Sequence, residues 1–187
     1  MKIVHLDRPL RYDGLQLATA FIDRHAPDAA GRDDVLVLFR GEADVPREHL
    51  VDMEDAEAGA VIQSPDMAHV IAEHPGLALP EAVWRQRVLV RLAAQWIASR
   101  SGIVVDVRGN DLYVGTGKLS VSVATRSPRG ALIHFAVNVE IEGTPVPTAG
   151  LRDLRIRPSE FLAALARLYA DELQSVAHAV GKVRPVP

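Results

Sequence analysis

Five side chains between residues 118 and 138 have the types and spacing of a small-molecule site: Lys118, Ser120, Ser122, His134 and Asn138. They fall in a stretch, 117–142, that alternates with a period of two and reads as a β-hairpin. On the first strand, Lys118 to Ala124, Leu119, Val121 and Val123 point one way and Lys118, Ser120, Ser122 and Ala124 the other. Ser127-Pro128-Arg129-Gly130 has the chemistry of a turn. On the second strand Ala131, Ile133, Phe135, Val137, Val139 and Ile141 form an apolar face. Leu132, His134, Ala136, Asn138, Glu140 and Glu142 form the opposite one. A loop of about five residues sets Ser120 opposite Asn138, Ala124 opposite His134 and Lys118 opposite Glu140. Opposed residues share a face. One surface then gathers an ammonium, two hydroxyls, an imidazole, an amide and a carboxylate. A solvated outer face is the plain alternative. Small residues (Ser120, Ser122, Ala124, Ala136) dominate this face, however, and leave the concavity that a ligand site needs.

Other groups carry weaker signals. Asp52, Glu54, Asp55 and Glu57 form an acidic cluster that reads as a solvated loop, with Mg²⁺ binding as the alternative. His69 and Glu73 lie four apart, with His74 beside them, but neither His-Glu-x-x-His nor His-x-x-Glu-His is present. They read as surface or packing residues rather than metal ligands. Arg85 and Arg87 lie on a helix with a clear apolar face and read as solvent or helix-pair charges. Asp111 follows the Gly109-Asn110 turn, and Trp84 and Trp96 read as core.

The elements that must position these groups can be read along the chain. Residues 2–6 form a short strand, and apolar spacing from Leu15 to about His25 is helical. Val35 to Phe39 is a continuous apolar run, as in a strand buried on both faces, and it ends at Arg40-Gly41. Ser64-Pro65 has a capping residue and a proline at the first helical position, predicting a helix that Pro75-Gly76 stops. A long helix spans about Pro80 to Arg100. Ile103–Val107 and Asp111–Gly115 are strands joined at Gly109-Asn110. Gly143 to Pro158 is a connection, and Ser159 caps a final helix to about Val180. Strands flanked by helices, with consecutive hairpins, predict an α+β fold with a mainly antiparallel central sheet.

With 187 residues, 48% of them hydrophobic, the chain is long enough for one substantial core, and a single domain over 1–187 is the default. A net charge of −3 with scattered basic residues disfavours a nucleic-acid or membrane-surface partner. The absence of cysteine removes disulfides, thiolate metal sites and a cysteine nucleophile. No signal peptide or membrane-spanning run is evident, so a cytoplasmic protein is expected.

Gly117-Lys118-Leu119-Ser120-Val121-Ser122, followed by Ile133-His134-Phe135-Ala136-Val137-Asn138-Val139, resembles the signature hairpin of the lipoyl and biotin protein ligase superfamily. The whole chain resembles more closely an uncharacterised family on that fold, domain of unknown function family 366. Arg40-Gly41, Met53-Glu54-Asp55, Gln86-Arg87, Gly109-Asn110-Asp111-Leu112 and the hairpin carry this second likeness. In the superfamily the lysine contacts the carbonyl and phosphate oxygens of an acyl-adenylate, or polarises an acyl thioester. The resemblance gives Lys118 that catalytic role and Asn138 a supporting one. It makes Arg40-Gly41 the nearest counterpart of a phosphate loop, and Arg87 and Asp111 further pocket residues. The counterpart loop is acidic at Glu42, and the transferases' histidine falls one position earlier than His134, on the other strand face.

An ATP-dependent ligase or acyltransferase binding a small carboxylic acid or its acyl-adenylate is the implied function, with ATP and Mg²⁺ as cofactors. The alternative is a non-catalytic small-molecule or nucleotide-binding module on the same fold. A homodimer through the sheet edge is a third reading, and whether an acceptor protein takes part is left open.

Overall fold

A computed structural model describes residues 1–144 and 146–186. Pro145, in the 143–158 connection, and Pro187 lie outside the described residues. A five-stranded sheet forms the centre, in the order β1 (Lys2–His5), β2 (Val35–Val45), β3 (Ile62–Pro75), β8 (Gly130–Asn138), β7 (Ser120–Ser127). β1 runs parallel to β2 and every other pairing is antiparallel. A second, three-stranded antiparallel sheet comprises β4 (Asp106–Arg108), β5 (Asp111–Val114) and β6 (Gly117–Lys118). The expected α+β architecture, with a mainly antiparallel sheet flanked by helices, is observed. No helix among the described residues is long and apolar enough to cross a membrane.

Strand alternation sorts the central sheet into two cores. Leu36, Leu38, Ala68, Val70, Ala72, Ile133, Phe135 and Val137 face α3 (Leu79–Ser101) and α4 (Pro158–Gly181). Their neighbours Val35, Val37, Phe39, Met67, Ile71, Leu132 and Ala136 face α1 (Thr19–His25) and the segment before it, where Tyr12 and Leu17 pack. Burial on both sides explains the continuous apolar run that opens β2.

The largest departure from expectation is β3. The Ser64–Pro75 segment is a strand, because pairing with β2 and β8 on its two edges outweighs a local helix-start signal. Pro65, which has no N–H, sits where the β2–β3 register shifts between Gly41–Met67 and Ala43–Ser64. No ladder donor is required of it there. β2 likewise continues past Arg40-Gly41 to Val45.

The hairpin register also differs by one residue. β7 and β8 meet at Ser127–Gly130 around a two-residue turn, so Ser120 opposes Val137, Ala124 opposes Ile133 and Val123 opposes His134. Gly130, at φ +151°, lets the turn close against the end of β3, where an added Cβ would collide with the His74 carbonyl. A one-residue slip exchanges faces. Ser120 and Ser122 therefore join the α3 side, and His134 joins the α1 side. Lys118 belongs to β6 in the small sheet, so 117–142 is not one continuous hairpin.

Smaller corrections follow the same logic. The acidic cluster forms α2 (Met53–Ala58), capped by the Asp52 carboxylate, instead of a loop. Arg157, not Ser159, precedes α4, and Pro158 fills its first turn without a side-chain cap. Trp84 is 74% exposed, contrary to the core position expected of it, whereas Trp96 packs against Phe161.

Burying β3 forces its polar side chains to find partners. Glu73, fully buried, receives Arg129 Nε and Nη2 at 3.0 and 2.8 Å and the Gly31 N–H at 3.1 Å. His74 lies between Asp34 Oδ1 and Tyr169 Oη, each at 2.9 Å. Arg129→Ala leaves the Glu73 carboxylate sealed with one backbone donor. It should destabilise the fold by about 3–5 kcal/mol, read from urea unfolding at neutral pH; a loss below about 1 kcal/mol, the value of an exposed pair, contradicts this role.

Candidate functional site

The α1 face of the sheet is not completely filled. Beyond Tyr12, between the start of β3, strands β7 and β8, the small sheet and the 49–62 segment carrying α2, lies a cavity of about 390 Å³. Its walls are largely apolar, with Val45, Leu50, Ile62, Met67, Val121 and Val123 among them. Polar groups gather at two places, one around Lys118 and one around His134.

The β5–β6 pairing fixes the first. Tyr113 opposes Lys118, so Asp111 lies diagonally across the ladder from the lysine. Lys118 Nζ stands 2.9 Å from Asp111 Oδ2, and the two side chains remain 32% and 24% exposed. Burial disfavours the ammonium, but the Asp111 hydrogen bond and charge outweigh it and raise the lysine pKa. Asn138 holds this strand in place: its Nδ2 donates to the Lys118 and Leu119 carbonyls at 3.2 and 3.3 Å. Asp55 of α2 faces the same end. Burial first, then the Asp52 charge, raise its carboxyl pKa, while Lys118 opposes them.

The second place lies deeper. His69 Nδ1 and His134 Nε2 are 3.1 Å apart, and His69 Nε2 donates to the Gly41 carbonyl at 3.1 Å. The Tyr12 ring stacks on His134 with centroids 3.9 Å apart. Burial lowers the His69 pKa from 6.5 to about 4. His134 is lowered as well, first by burial and then by His69. Both imidazoles are neutral at pH 7.

Of the residues expected at a site, Lys118, His134, Asn138, Asp111 and Ser122 border this cavity. The Ser122 hydroxyl turns away, accepting from Gln86 Nε2 at 2.8 Å and donating to the His134 carbonyl at 3.1 Å. Ser120 is remote from the cavity; its hydroxyl accepts the Leu112 N–H at 2.9 Å. Arg40 is held by the Asp66 carboxylate, with Nε 2.9 and 2.7 Å from its two oxygens, and does not line the cavity. Gly41 contributes its carbonyl to His69, and a Cβ there would strike the Leu10 carbonyl. Arg87 lies beside Gly109, outside the cavity wall. Tyr12 was not anticipated, and His69 and Asp55 carried only weaker signals, as a packing residue and as part of the acidic cluster. Tyr12 precedes a turn and carries no periodic signal, and His69 was assigned to a helix.

These residues do not fit a nucleotide triphosphate. The cavity wall has three carboxylates (Asp52, Asp55 and Asp111) against one ammonium, and no arginine among the described residues. The only arginine expected to meet phosphate already has an acidic partner. No group of three or more His, Asp or Glu among the described residues is disposed to hold a metal ion.

Comparison with known proteins agrees with this placement on a ligase-like fold. Residues 1–184 match the model of a domain of unknown function, DUF366. An uncharacterised protein of Methanocaldococcus jannaschii is 31% identical over 160 residues, covering 82% of this chain and 72% of that one. A solved protein of unknown function from Pyrococcus horikoshi is 33% identical, with a TM-score of 0.91 and full coverage of both chains. The biotin protein ligase of Aquifex aeolicus, in complex with biotin and ATP, has a TM-score of 0.59 at 10% identity, covering 92% of this chain and 70% of that one. Lipoate-protein ligase A bound with ATP gives 0.56 at 14% identity, covering 93% and 86%. At these identities the ligases share the fold alone.

The histidine pair makes a pH-dependent contribution to stability. With folded values below 6.5, the unfolded chain binds more protons between about pH 6.5 and 4. That contribution is complete above pH 6.5 and is lost as pH falls towards 4. Urea midpoints should fall across this window, and less steeply in His69→Gln; equal slopes in the two proteins contradict the assignment.

Proposed function

The chain belongs to the DUF366 family, and on that premise we propose that it binds a small acyl compound in the cavity beside Lys118 and acts on its acyl carbonyl. The observation that carries this reading is the Lys118 ammonium, held at the cavity wall by Asp111 at 2.9 Å. An ammonium fixed where a carbonyl oxygen gains negative charge lowers the barrier to acyl transfer. The cavity, about 390 Å³, falls within the range of small-ligand sites of roughly 300–1,000 Å³. Its aliphatic walls suit an acyl chain.

Charge selects the form of the ligand. Asp52 and Asp55 add negative charge beyond the one that Lys118 balances at Asp111. A free carboxylate or an adenylate meets repulsion there, whereas a neutral ester or thioester does not. The reading is therefore of an acyltransferase-like protein supplied with an already activated acyl group, not a ligase that activates its acid with ATP. It acts in the cytoplasm on a small molecule, without a nucleic-acid or membrane partner, in keeping with the net charge of −3 and scattered basic residues. A second reading, binding without turnover, is favoured by one observation: the Asp111 partner reduces the charge that Lys118 can offer an oxyanion.

Octanoyl-N-acetylcysteamine, a neutral thioester, tests the proposal against octanoate, biotin, lipoic acid and ATP by calorimetric titration. The thioester should bind most tightly, and Lys118→Ala should weaken it by about 10–100-fold, the value of a hydrogen bond from a charged donor. Release of the free thiol by the wild-type protein separates turnover from binding alone. No thioester binding, or binding indifferent to Lys118→Ala, contradicts the proposal.

A further inference from the structure

The buried histidine pair has a proton arrangement that its surroundings settle. The Gly41 carbonyl can only accept, so His69 Nε2 carries the hydrogen of that 3.1 Å bond. A neutral His69 ring then has a bare lone pair at Nδ1, which faces His134 Nε2 at 3.1 Å. His134 Nε2 must therefore be the donor. By the same rule, its own Nδ1 is left unprotonated.

That last nitrogen has no hydrogen-bond partner among the described residues. No polar side-chain atom of the described residues is both sealed from solvent and unpartnered. The free Nδ1 is therefore not sealed from solvent, and His134 lines the cavity. The Tyr12 ring, stacked at 3.9 Å, fixes the imidazole plane. Strand register sets the spacing: Ile71 opposes His134 and Ala136 opposes His69, so the two rings are diagonal neighbours with only a methyl group at 136 beside them.

We infer that His134 Nδ1 is a general base serving the cavity, and that His69, anchored on the Gly41 carbonyl, is the positioning residue that holds it in the reactive tautomer. Burial keeps both rings uncharged at neutral pH, so the lone pair is available. The inference rests on the acyl-site reading above and adds to it the group that activates the nucleophile. As water or an amine attacks the acyl carbon, its O–H or N–H bond breaks and the proton passes to His134 Nδ1. The nucleophile's electron pair forms the new bond, and the carbonyl π pair moves to the oxygen facing Lys118. Collapse restores the carbonyl and expels the alkoxide or thiolate, which recovers the proton from His134. No cysteine is required, in keeping with a chain that has none.

Two measurements on the full chain test this. Long-range ¹H–¹⁵N NMR of the wild-type protein reads the tautomers directly and depends on no variant. It should show hydrogen on Nε2 of both His69 and His134 and a bare Nδ1 on His134. Hydrolysis of p-nitrophenyl butyrate, a neutral ester probe, should fall at least about 100-fold in His134→Gln, within the range for a lost general base. His69→Leu should lose both the rate and the single His134 tautomer. His69→Gln should rescue both, because its amide can donate to Gly41 and accept from His134. A His134 ring protonated at Nδ1 overturns the inference. So does wild-type hydrolysis no faster than that of His134→Gln, or a His69→Leu protein that keeps the wild-type rate. Lys118-dependent thioester binding, measured in parallel, shows whether the acyl-site reading stands when the base fails.

Discussion

A strand buried on both faces can keep polar side chains only if each is given a partner, and β3 lives under that constraint from Met67 to His74. His69 pairs with His134 and the Gly41 carbonyl, Glu73 with Arg129 and the Gly31 amide, and His74 with Asp34 and Tyr169. An unpartnered buried polar group costs about 1–3 kcal/mol, a large share of a domain's net stability of about 5–15 kcal/mol. These pairings tie β3 to the 31–34 segment, β8 and the hairpin turn, and α4. The same requirement fixes the β3–β8 register, because a shift of β3 by one residue would carry His69 and Glu73 to the face opposite His134.

The cavity is a consequence of that register. On the α1 face, large side chains fill the sheet up to Tyr12. Beyond it the wall passes to α2 and the small sheet, whose side chains leave space above His134 and beside Lys118. The two polar centres come from opposite ends of the construction. The histidine pair belongs to the central sheet, and Lys118–Asp111 to the small one. Asn138, the last residue of β8, joins them by bonding the backbone that carries Lys118.

Much of this was legible in the amino-acid order, and the misses have physical causes. The α+β class, the long α3 and the Gly109-Asn110 turn follow from periodicity and turn chemistry. Lys118, Asp111, His134 and Asn138 were recognisable, the first two through resemblance and turn context. Ser120 and Ser122 were placed with His134 because a five-residue loop was assumed, where Gly130 permits a two-residue turn. Alternation gives the two faces of each strand but not which face of one meets which of the other. Ser64-Pro65 read as a helix start because local signals cannot register the edges that β2 and β8 supply. Arg40 has the right type for phosphate, but only the tertiary fold brings Asp66 to it.

The fold relates the chain to enzymes solved with biotin and ATP, while its own cavity sets three carboxylates against one ammonium, the charge balance from which the neutral acyl ligand is proposed. The most direct measurement is a crystal structure of the protein with the unreactive ketone analogue of octanoyl-N-acetylcysteamine. The account predicts the alkyl chain among Val121, Val123 and Met67 and the ketone oxygen within about 3 Å of Lys118 Nζ, hydrogen-bonding distance. An analogue bound elsewhere on the molecule, or one in the cavity with its oxygen turned away from Lys118, contradicts it.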